Sequence, residues 1–165
     1  MRDSSDFDGF YVASRNRLLA QLTALIGDEG DAQDCLQEAY ARAWQRWSKV
    51  GQYDDPAAWV RTVASRLANN RWRRSRNAAQ AWIRHGPPTE QPAPTDDAML
   101  LVAALRRLPE PQRRALVLHY LGDLAVEQIA EETNAPVGTV KARLARGRTA
   151  LAAALTESGH LKVNP

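Results

Sequence analysis

Apolar residues recur every three or four positions along most of the chain. The stripe that begins at Phe7 and continues through Phe10, Leu18 and Leu25 has the period of an amphipathic helix. No segment of useful length alternates between apolar and polar residues, as half-buried strands do. The pattern therefore predicts an all-α fold.

The first helical region is predicted to span residues 5–74 and to contain three helices. The helix that carries the first stripe is expected to end at Gly27 and Gly30, because glycine is unfavourable inside helices. Asp31 is a suitable N-cap for a second helix that reaches about Trp47, since an aspartate side chain accepts a hydrogen bond from the first helical turn.

The third helix is predicted to begin at Pro56, with Asp55 as its N-cap, and to end at about Arg74. One face is apolar, and the opposite face is basic, amide-bearing and aromatic. Such a face suits nucleic acid, because arginine neutralises phosphates, asparagine pairs with adenine edges and aromatic rings stack on exposed bases. The inward residues are Pro56, Val60, Val63, Ala64 and Leu67, and the outward residues are Arg61, Thr62, Ser65, Arg66, Asn69, Trp72 and Arg73.

The loop before this helix, Lys49–Asp54, has the mixture of polar and aromatic side chains that could hold an unstacked base. Tryptophans surround this loop in the sequence. Trp44, Trp47 and Trp59 are expected to be ordinary core aromatics, whereas Trp72 suits the core and the nucleic-acid face equally well.

Helical periodicity fades over residues 75–96, where prolines collect. Residues 71–95 hold five basic residues and one acidic residue, a local excess that exceeds the net charge of +3 for the whole chain. This composition predicts a flexible linker between two small modules.

The second module is predicted to span residues 97–157 and to contain four helices. A tight turn at Asn134 and Ala135 separates the last two, and asparagine tolerates the left-handed backbone that such a turn requires. Two helices joined in this way form a helix-turn-helix, a common DNA-binding unit. The first helix should end near Leu108, and the others should run from Pro111 to just before Gly122, from Ala125 to Thr133 and from Val137 to Leu155.

The last helix has the features of a recognition helix. Its outward face is built of small residues, which allow close approach to a DNA groove, and cations flank that face. Arg146 could pair with guanine through two hydrogen bonds, while Thr139 and the flanking cations reach phosphates. The inward residues are Val140, Leu144, Gly147 and Leu151; the outward residues are Gly138, Thr139, Ala142, Ala145 and Arg146; Lys141, Arg143 and Arg148 lie between.

These segments resemble a known family. Region two of the extracytoplasmic-function (ECF) sigma factors, group IV of the sigma-70 family, is similar to DAQDCLQEAYARAW followed by DPAAWVRTVASRLANNRWRR. Region four of these proteins is similar to LRRLPEPQRRALVLHYLGDLAVEQIAEETNAPVGTVKARLARGR. The amino-acid sequence of these segments most resembles that of the sigma-E-like group of actinobacteria. The resemblance implies a transcription initiation factor that binds bacterial core RNA polymerase and directs it to promoters.

The resemblance also implies roles for individual residues. Region two melts and reads the minus-ten element, and region four reads the minus-thirty-five element as duplex. The implied minus-thirty-five contacts are Lys141, Ala142 and Arg146 for bases and Thr139, Arg143 and Arg148 for phosphates. The minus-ten residues, drawn from the resemblance and from the helix face described above, are Lys49, Gln52, Tyr53, Asp54, Arg61, Arg66, Asn69, Trp72 and Arg73.

The second helix has a polar face opposite Leu36, Ala39, Tyr40 and Ala43. From the residues alone, this face fits a plain solvated surface. The resemblance implies that it docks on the clamp helices of the largest polymerase subunit. The docking residues are Asp34, Gln37, Glu38, Ala41 and Gln45.

One departure from the family concerns the short helix before the turn. Many relatives carry serine or threonine at its cap, whereas this chain has Ala125. Loss of such a cap costs about 1 kcal/mol, so reduced stability of the second module is expected.

An enzyme is the competing class. His85, His119 and His160 are scattered, and no metalloprotease, P-loop or nucleophile-elbow motif occurs. The single cysteine, Cys35, allows neither an intrachain disulfide nor a cysteine-based zinc site, and its position suggests an inert core thiol. We therefore expect no catalytic residues, no metal and no cofactor.

The alternative function is a stand-alone helix-turn-helix regulator that binds duplex DNA without polymerase. The second module fits it, but the basic aromatic face of the first module would then have no role. An RNA-binding adaptor that uses the linker arginines is a third possibility. Dependence on polymerase distinguishes these classes.

The expected partners are core RNA polymerase and promoter DNA, both as duplex and as melted single strand. An anti-sigma factor is a further candidate, because many relatives are held by one. No segment approaches the roughly 18 apolar residues of a membrane span, and the acidic N-terminus lacks the apolar core of a secretory signal. A cytoplasmic protein without membrane contact is therefore expected.

Overall fold

A computed structural model describes residues 4–82 and 97–157, with side chains over 4–74 and 97–157. The described residues form helices and no strand, which confirms the all-α prediction. The helices are α1 (Ser4–Ile26), α2 (Glu29–Gln45), α3 (Trp47–Val50), α4 (Pro56–Trp82), α5 (Asp97–Arg106), α6 (Glu110–Leu116), α7 (Val126–Thr133) and α8 (Val137–Glu157), and a π-helical turn, Val117–Leu121, continues α6.

The first module is held together by the apolar stripes of α1, α2 and α4. Leu18, Leu22 and Val60 are completely buried where these helices meet. Burial of each such side chain contributes about 1.5–3 kcal/mol, which offsets the entropy lost on ordering the helices. The inward stripe predicted for the third helix is confirmed at Val60 and Ala64.

Aromatic rings close one end of this core. Trp47 lies with its ring centroid 5.1 Å from that of Phe10, and Trp59 is partly buried, so both core predictions are confirmed. The core prediction for Trp44 is wrong, because half of its surface is exposed. Its ring meets Phe7 on one side, with centroids 5.1 Å apart, while the other side faces solvent at the edge of α2.

The start of α2 differs from the prediction. Its N-cap is Asp28, whose Oδ1 accepts a hydrogen bond from the Asp31 N–H at 2.8 Å. Asp31, which was expected to be the N-cap, therefore lies in the first turn and donates its N–H to the actual cap. Gly30 lies within the first turn, whereas Gly27, with φ of 87°, ends α1 in the left-handed region that glycine favours.

The first module contains four helices rather than three. The predicted second helix stops at Gln45, and α3 forms one further turn before the loop. Asp55 caps α4 as predicted, because its Oδ1 accepts from the Ala58 N–H at 3.2 Å. The helix continues to Trp82, past the predicted end at Arg74, and the prolines of the predicted linker lie outside the described residues.

The four helices predicted for the second module are confirmed. Leu118, Ile129 and Val140 are completely buried between them. Asn134 adopts φ of 52° and ψ of 48°, the left-handed turn that the sequence predicts. Ala125 offers no side-chain cap to α7, but Gln128 Oε1 accepts a hydrogen bond from the Ala125 N–H at 2.8 Å, so one free donor is satisfied.

The two modules pack against each other. Helix α1 contacts α5 and the π-helical turn, and Ala24 is buried among the core residues of the second module. The Arg106 side chain crosses Gly27 so closely that a Cβ there would lie 2.4 Å from Arg106 Cδ. Glycine at position 27 therefore allows both the end of α1 and the close approach of the modules.

Candidate nucleic-acid interfaces and docking surface

The minus-thirty-five surface consists of the predicted contact residues on α8. Val140, Leu144 and Gly147 are buried on the opposite side, where Gly147 faces Leu116. This packing fixes the rotation of α8 about its axis. Of the predicted residues, Lys141, Arg146 and Arg148 are exposed, and Thr139, Ala142 and Arg143 are half-exposed.

The outward face of α8 combines positive charge with little steric bulk. Apart from its chain neighbours and its own helix backbone, no atom of the described residues lies within 4 Å of the position that a Cβ would occupy on Gly138. Arg148 Nη1 donates to the Tyr120 hydroxyl at 3.3 Å, and Tyr120 is itself 55% exposed. Tyr120 adds an aromatic ring to this surface that the helical pattern does not predict, because it lies on the preceding π-helical turn.

The minus-ten surface consists of the predicted loop residues and the outward face of α4. Lys49, Gln52, Tyr53 and Asp54 are all exposed. The loop is held by its own backbone, since the Gln52 N–H donates to the Lys49 carbonyl and the Tyr53 N–H to the Val50 carbonyl, both at 3.1 Å. A turn of this kind positions side chains at the start of α4 without a long flexible segment.

Of the seven residues predicted on the outward face of α4, four are exposed, Thr62 is half-exposed and two are buried. Arg66, Asn69, Trp72 and Arg73 are exposed. Arg61 and Ser65, which the helical pattern places outward, are only 3% and 7% exposed. The exposure predicted for these two residues is wrong; Arg61 is covered by Gln21 of α1 and by Glu132 of the second module.

Arg61 is held by side chains from two other helices. Its Nε and Nη2 donate to the two carboxylate oxygens of Glu132 on α7, each at 2.7 Å. Its Nη1 donates to Gln21 Oε1 on α1 at 2.9 Å. The amide of Gln21 in turn donates to the Leu121 carbonyl at 3.3 Å. This hydrogen-bonded chain connects the first module to the second.

Two cavities lie between the modules beside this chain. One, of about 610 Å³, has Tyr53 and Arg66 on one wall and Glu131 on the other. The second, of about 890 Å³, is lined by Asn69, Trp72 and several arginines. Burial lowers the pKa of Arg113 in its wall from the ordinary value for arginine. Residues of the minus-ten surface therefore border both inter-module cavities.

The predicted docking surface, called the docking surface below, is the polar face of α2. Leu36, Ala39, Tyr40 and Ala43 are buried, so the inward face is confirmed. Two acidic residues on the polar face have basic neighbours: Glu38 Oε1 accepts from Arg42 at 2.7 Å, and Asp34 lies 3.5 Å from Arg71. The polar-face residues Asp34, Gln37, Glu38, Ala41 and Gln45 all retain access to solvent.

Trp44 lies beside the docking surface and was missed by the sequence pattern. Helical spacing places it next to Ala41, and it is half exposed. A large aromatic ring at the edge of a polar surface is a common anchor of protein interfaces.

Cys35 is completely buried, as expected for a core thiol. Burial is also the main reason why its pKa is raised above the ordinary value. Across the part of the chain that the structure describes, no group of three or more potential metal ligands occurs. No helix there is long and apolar enough to cross a membrane.

Comparison with known proteins agrees with this architecture. Residues 10–78 match the family model "Sigma-70 region 2", and residues 98–151 match "Sigma-70, region 4". The sigma factor RpoE, in a co-crystal structure with the anti-sigma factor NepR from Bartonella quintana, shares the fold with a TM-score of 0.78. The match has 22% sequence identity and covers 92% of this chain and 97% of that one.

Curated relatives cover most of the chain. The ECF RNA polymerase sigma factor SigK of Mycobacterium sp. (strain KMS) is 31% identical over 160 residues, 88% of this chain and 81% of the relative. SigK of Mycolicibacterium vanbaalenii is 28% identical over 165 residues, 91% of this chain and 82% of the relative. The chain therefore belongs to the ECF sigma factors of the sigma-70 family, non-enzymatic transcription factors that direct RNA polymerase to promoter DNA.

Proposed function

We propose that α8 reads the minus-thirty-five element as duplex, and that α4 with its preceding loop reads the minus-ten element as a melted strand. The observation that carries the proposal is the helix-turn-helix of α7 and α8. Because Val140 and Leu144 are buried, Lys141 and Arg146 point toward solvent. The other side chains on this outward face are mostly small. A helix of this shape and charge fits the major groove.

Within the minus-thirty-five surface, two kinds of contact are assigned. Arg146 pairs with a guanine edge through two hydrogen bonds, with Lys141 and Ala142 beside it on the bases. Thr139, Arg143 and Arg148 bind phosphates, which position the helix but carry no direct sequence information. Small outward residues support this division because they let the backbone come close to the groove floor.

Within the minus-ten surface, the exposed loop of Lys49, Gln52, Tyr53 and Asp54 captures an unstacked base. The outward face of α4 then binds the strand, through its arginines, Asn69 and the exposed ring of Trp72. The residues assigned to this role are Arg61, Arg66, Asn69, Trp72 and Arg73. Arg61 is the exception in accessibility, since Glu132 holds it in this arrangement.

The docking surface on α2 binds core RNA polymerase, and its exposed carboxylates Asp34 and Glu38 support this role. Residues 75–96 connect the minus-ten module, 5–74, to the minus-thirty-five module, 97–157. We further propose that the chain acts in the cytoplasm, holds no catalytic centre of its own, and is restrained by an anti-sigma factor. RpoE of Bartonella quintana is bound to one in the structure that shares this fold.

The base-reading assignment is tested with three single substitutions in the holoenzyme. Duplexes that bind are selected from a random library and sequenced. Arg146→Ala should relax selection at one position and weaken binding to the preferred sequence by about 1–3 kcal/mol. Arg143→Ala should weaken binding evenly and reduce the salt slope by about one unit. Arg107→Ala, which removes an exposed cation between α5 and α6 of the same module, is the matched control.

The outcome is decided by the selected sequences. Equal effects of Arg146→Ala and Arg143→Ala on every sequence would contradict base reading by Arg146. Tight and specific binding of the wild-type chain to a duplex without polymerase would favour the stand-alone regulator instead.

The docking assignment is tested by binding of the labelled chain to purified core polymerase without DNA. A variant with Asp34, Gln37 and Glu38 replaced by alanine should lose affinity while keeping its helical circular dichroism. The matched control replaces Asp6 and Asp8, two exposed carboxylates on α1 of the same module. Unchanged affinity of the triple variant would remove the assignment.

A further inference from the structure

The sequence pattern and the tertiary structure disagree about Arg61. On α4 it belongs to the outward, basic face, yet only 3% of its surface is exposed. Three of its guanidinium nitrogens donate hydrogen bonds, two to the Glu132 carboxylate and one to Gln21. A carboxylate that accepts two parallel hydrogen bonds from one edge of a guanidinium has the geometry in which a phosphate also binds. Glu132 therefore occupies the position of a nucleic-acid phosphate on this arginine.

The helix that supplies Glu132 is acidic along its whole length. Helix α7 has the sequence VEQIAEET, with three glutamates and no basic residue. Glu131 faces the 610 Å³ cavity whose other wall includes Tyr53 and Arg66 of the minus-ten surface. Negative charge in this cavity repels a phosphate backbone, and α7 also blocks access to Arg61 by its bulk.

The contact between the modules is suited to reversible opening. A buried ion pair contributes little net stability, because the cost of removing both charges from water cancels much of their attraction. Loss of one partner alone is unfavourable, since it leaves a buried charge without compensation. When a phosphate replaces the Glu132 carboxylate, Arg61 still has a negatively charged partner. A ligand that binds only the separated modules shifts the population toward them.

We propose that the acidic face of α7, formed by Glu131 and Glu132, is an intramolecular ligand of the minus-ten surface, so that the two modules must separate before Arg61 can bind a melted promoter strand. This inference rests on the proposed minus-ten function for its occlusion step. It adds a partner for that surface, namely the second module of the same chain. The arrangement with the Arg61–Glu132 pair formed is called the closed arrangement.

The closed arrangement is tested in the full chain by energy transfer between two dyes. The dyes are attached at Gln33→Cys on α2 and Ala153→Cys on α8, both exposed positions, with Cys35→Ala to keep labelling specific. Glu132→Ala should lower the transfer efficiency. Glu127→Ala removes the same charge from an exposed position on α7 that borders neither cavity, and it should leave the efficiency unchanged.

A second variant is designed to separate the modules while Glu132, the partner of Arg61, stays in the sequence. Ala24 is 3% exposed and packs into the core of the second module, so Ala24→Glu inserts a charged side chain between the modules. It should lower energy transfer as Glu132→Ala does. Circular dichroism of each variant should match the wild type, because the change separates two folded modules.

Occlusion is tested by the anisotropy of a fluorescein-labelled, random-sequence single strand of DNA. The apparent dissociation constant equals the intrinsic one divided by the open fraction, so a tenfold rise in that fraction lowers it roughly tenfold. Glu132→Ala and Ala24→Glu should both bind more tightly than the wild type and Glu127→Ala. The gain for Ala24→Glu is decisive, since added negative charge by itself weakens binding.

Each outcome has one meaning. Unchanged energy transfer in both opening variants would overturn the closed arrangement. Lower transfer with no gain in binding would overturn the occlusion. In that case Arg66→Ala, made in the opened Ala24→Glu chain, locates the failure. If it also leaves binding unchanged, the minus-ten function of α4 is wrong; if it weakens binding, only the role of Arg61 is wrong.

Discussion

The buried hydroxyl pair of Ser14 and Tyr40 joins α1 to α2 and makes a testable prediction about the first module. Each residue is 4% exposed, and their oxygens lie 2.7 Å apart. Ser14 Oγ also lies 2.7 Å from the Phe10 carbonyl. A carbonyl can only accept, so the single Ser14 proton points to Phe10. Tyr40 must therefore donate its proton to Ser14 Oγ.

This direction makes the two substitutions unequal. Tyr40→Phe removes one hydrogen bond and leaves the Ser14 proton satisfied, so it should cost about 0.5–1.5 kcal/mol. Ser14→Ala leaves the Tyr40 hydroxyl buried without a partner, which costs about 1–3 kcal/mol. When Ser14 is already alanine, Tyr40→Phe removes that unsatisfied hydroxyl. The effect of Tyr40→Phe on stability should then change sign, from destabilising to neutral or stabilising.

Tryptophan fluorescence measures this directly, because all five tryptophans lie in residues 44–82 and none lies in the second module. Urea unfolding of the wild type, both single variants and the double variant gives the four free energies of a double-mutant cycle. A cost of 1 kcal/mol corresponds to about 0.3–1 M in the urea midpoint. Equal destabilisation by Tyr40→Phe in both backgrounds would refute the assigned hydrogen-bond direction.

The same pair predicts a dependence on alkaline pH. Burial is the main cause that raises the pKa of Tyr40 above its ordinary value of 10.0. The folded state therefore keeps the proton while the unfolded state releases it. The stability that protonated Tyr40 contributes is complete below pH 10.0 and decreases as pH rises toward the folded pKa. The advantage of the wild type over Tyr40→Phe should accordingly shrink above that pH, and a constant difference would contradict this.

Three further predictions concern the helix ends and the thiol. Asn134→Ala should lower stability by about 1 kcal/mol, and Asn134→Gly by a few tenths of that unit, because the turn requires a left-handed backbone. Thermal unfolding followed by circular dichroism measures both losses. Equal losses would argue against backbone strain at this position. Asp28→Ala should lower the free energy of unfolding by about 1 kcal/mol and Asp31→Ala by about 0.3 kcal/mol, as measured by urea unfolding. A larger loss for Asp31→Ala than for Asp28→Ala would show that Asp31 is the cap. Cys35 should resist a thiol reagent at pH 8 and react once urea unfolds the chain, whereas rapid reaction of the native protein would show an accessible thiolate.

Much of the local structure follows from sequence because helices impose a fixed period. The rotation of α8 is predicted correctly, since Val140 and Leu144 must be buried together. The left-handed turn at Asn134 is likewise predicted from one residue's backbone preference. The N-cap of α2 is not, because Asp28 and Asp31 are chemically identical. Only the three-dimensional path of the chain after Gly27 decides which of them accepts the hydrogen bond.

The sequence by itself determined the helical modules, most of their inward faces, the basic outward face of α8 and the family to which the chain belongs. The tertiary structure alone decided that Arg61 is buried and that Trp44 is exposed. The pattern of a helix shows which residues share a face, but not which neighbour covers that face. Arg61 and Glu132 are 71 positions apart, and their contact depends on how the two modules pack together. The accessibility of the minus-ten surface is therefore a property of this packing.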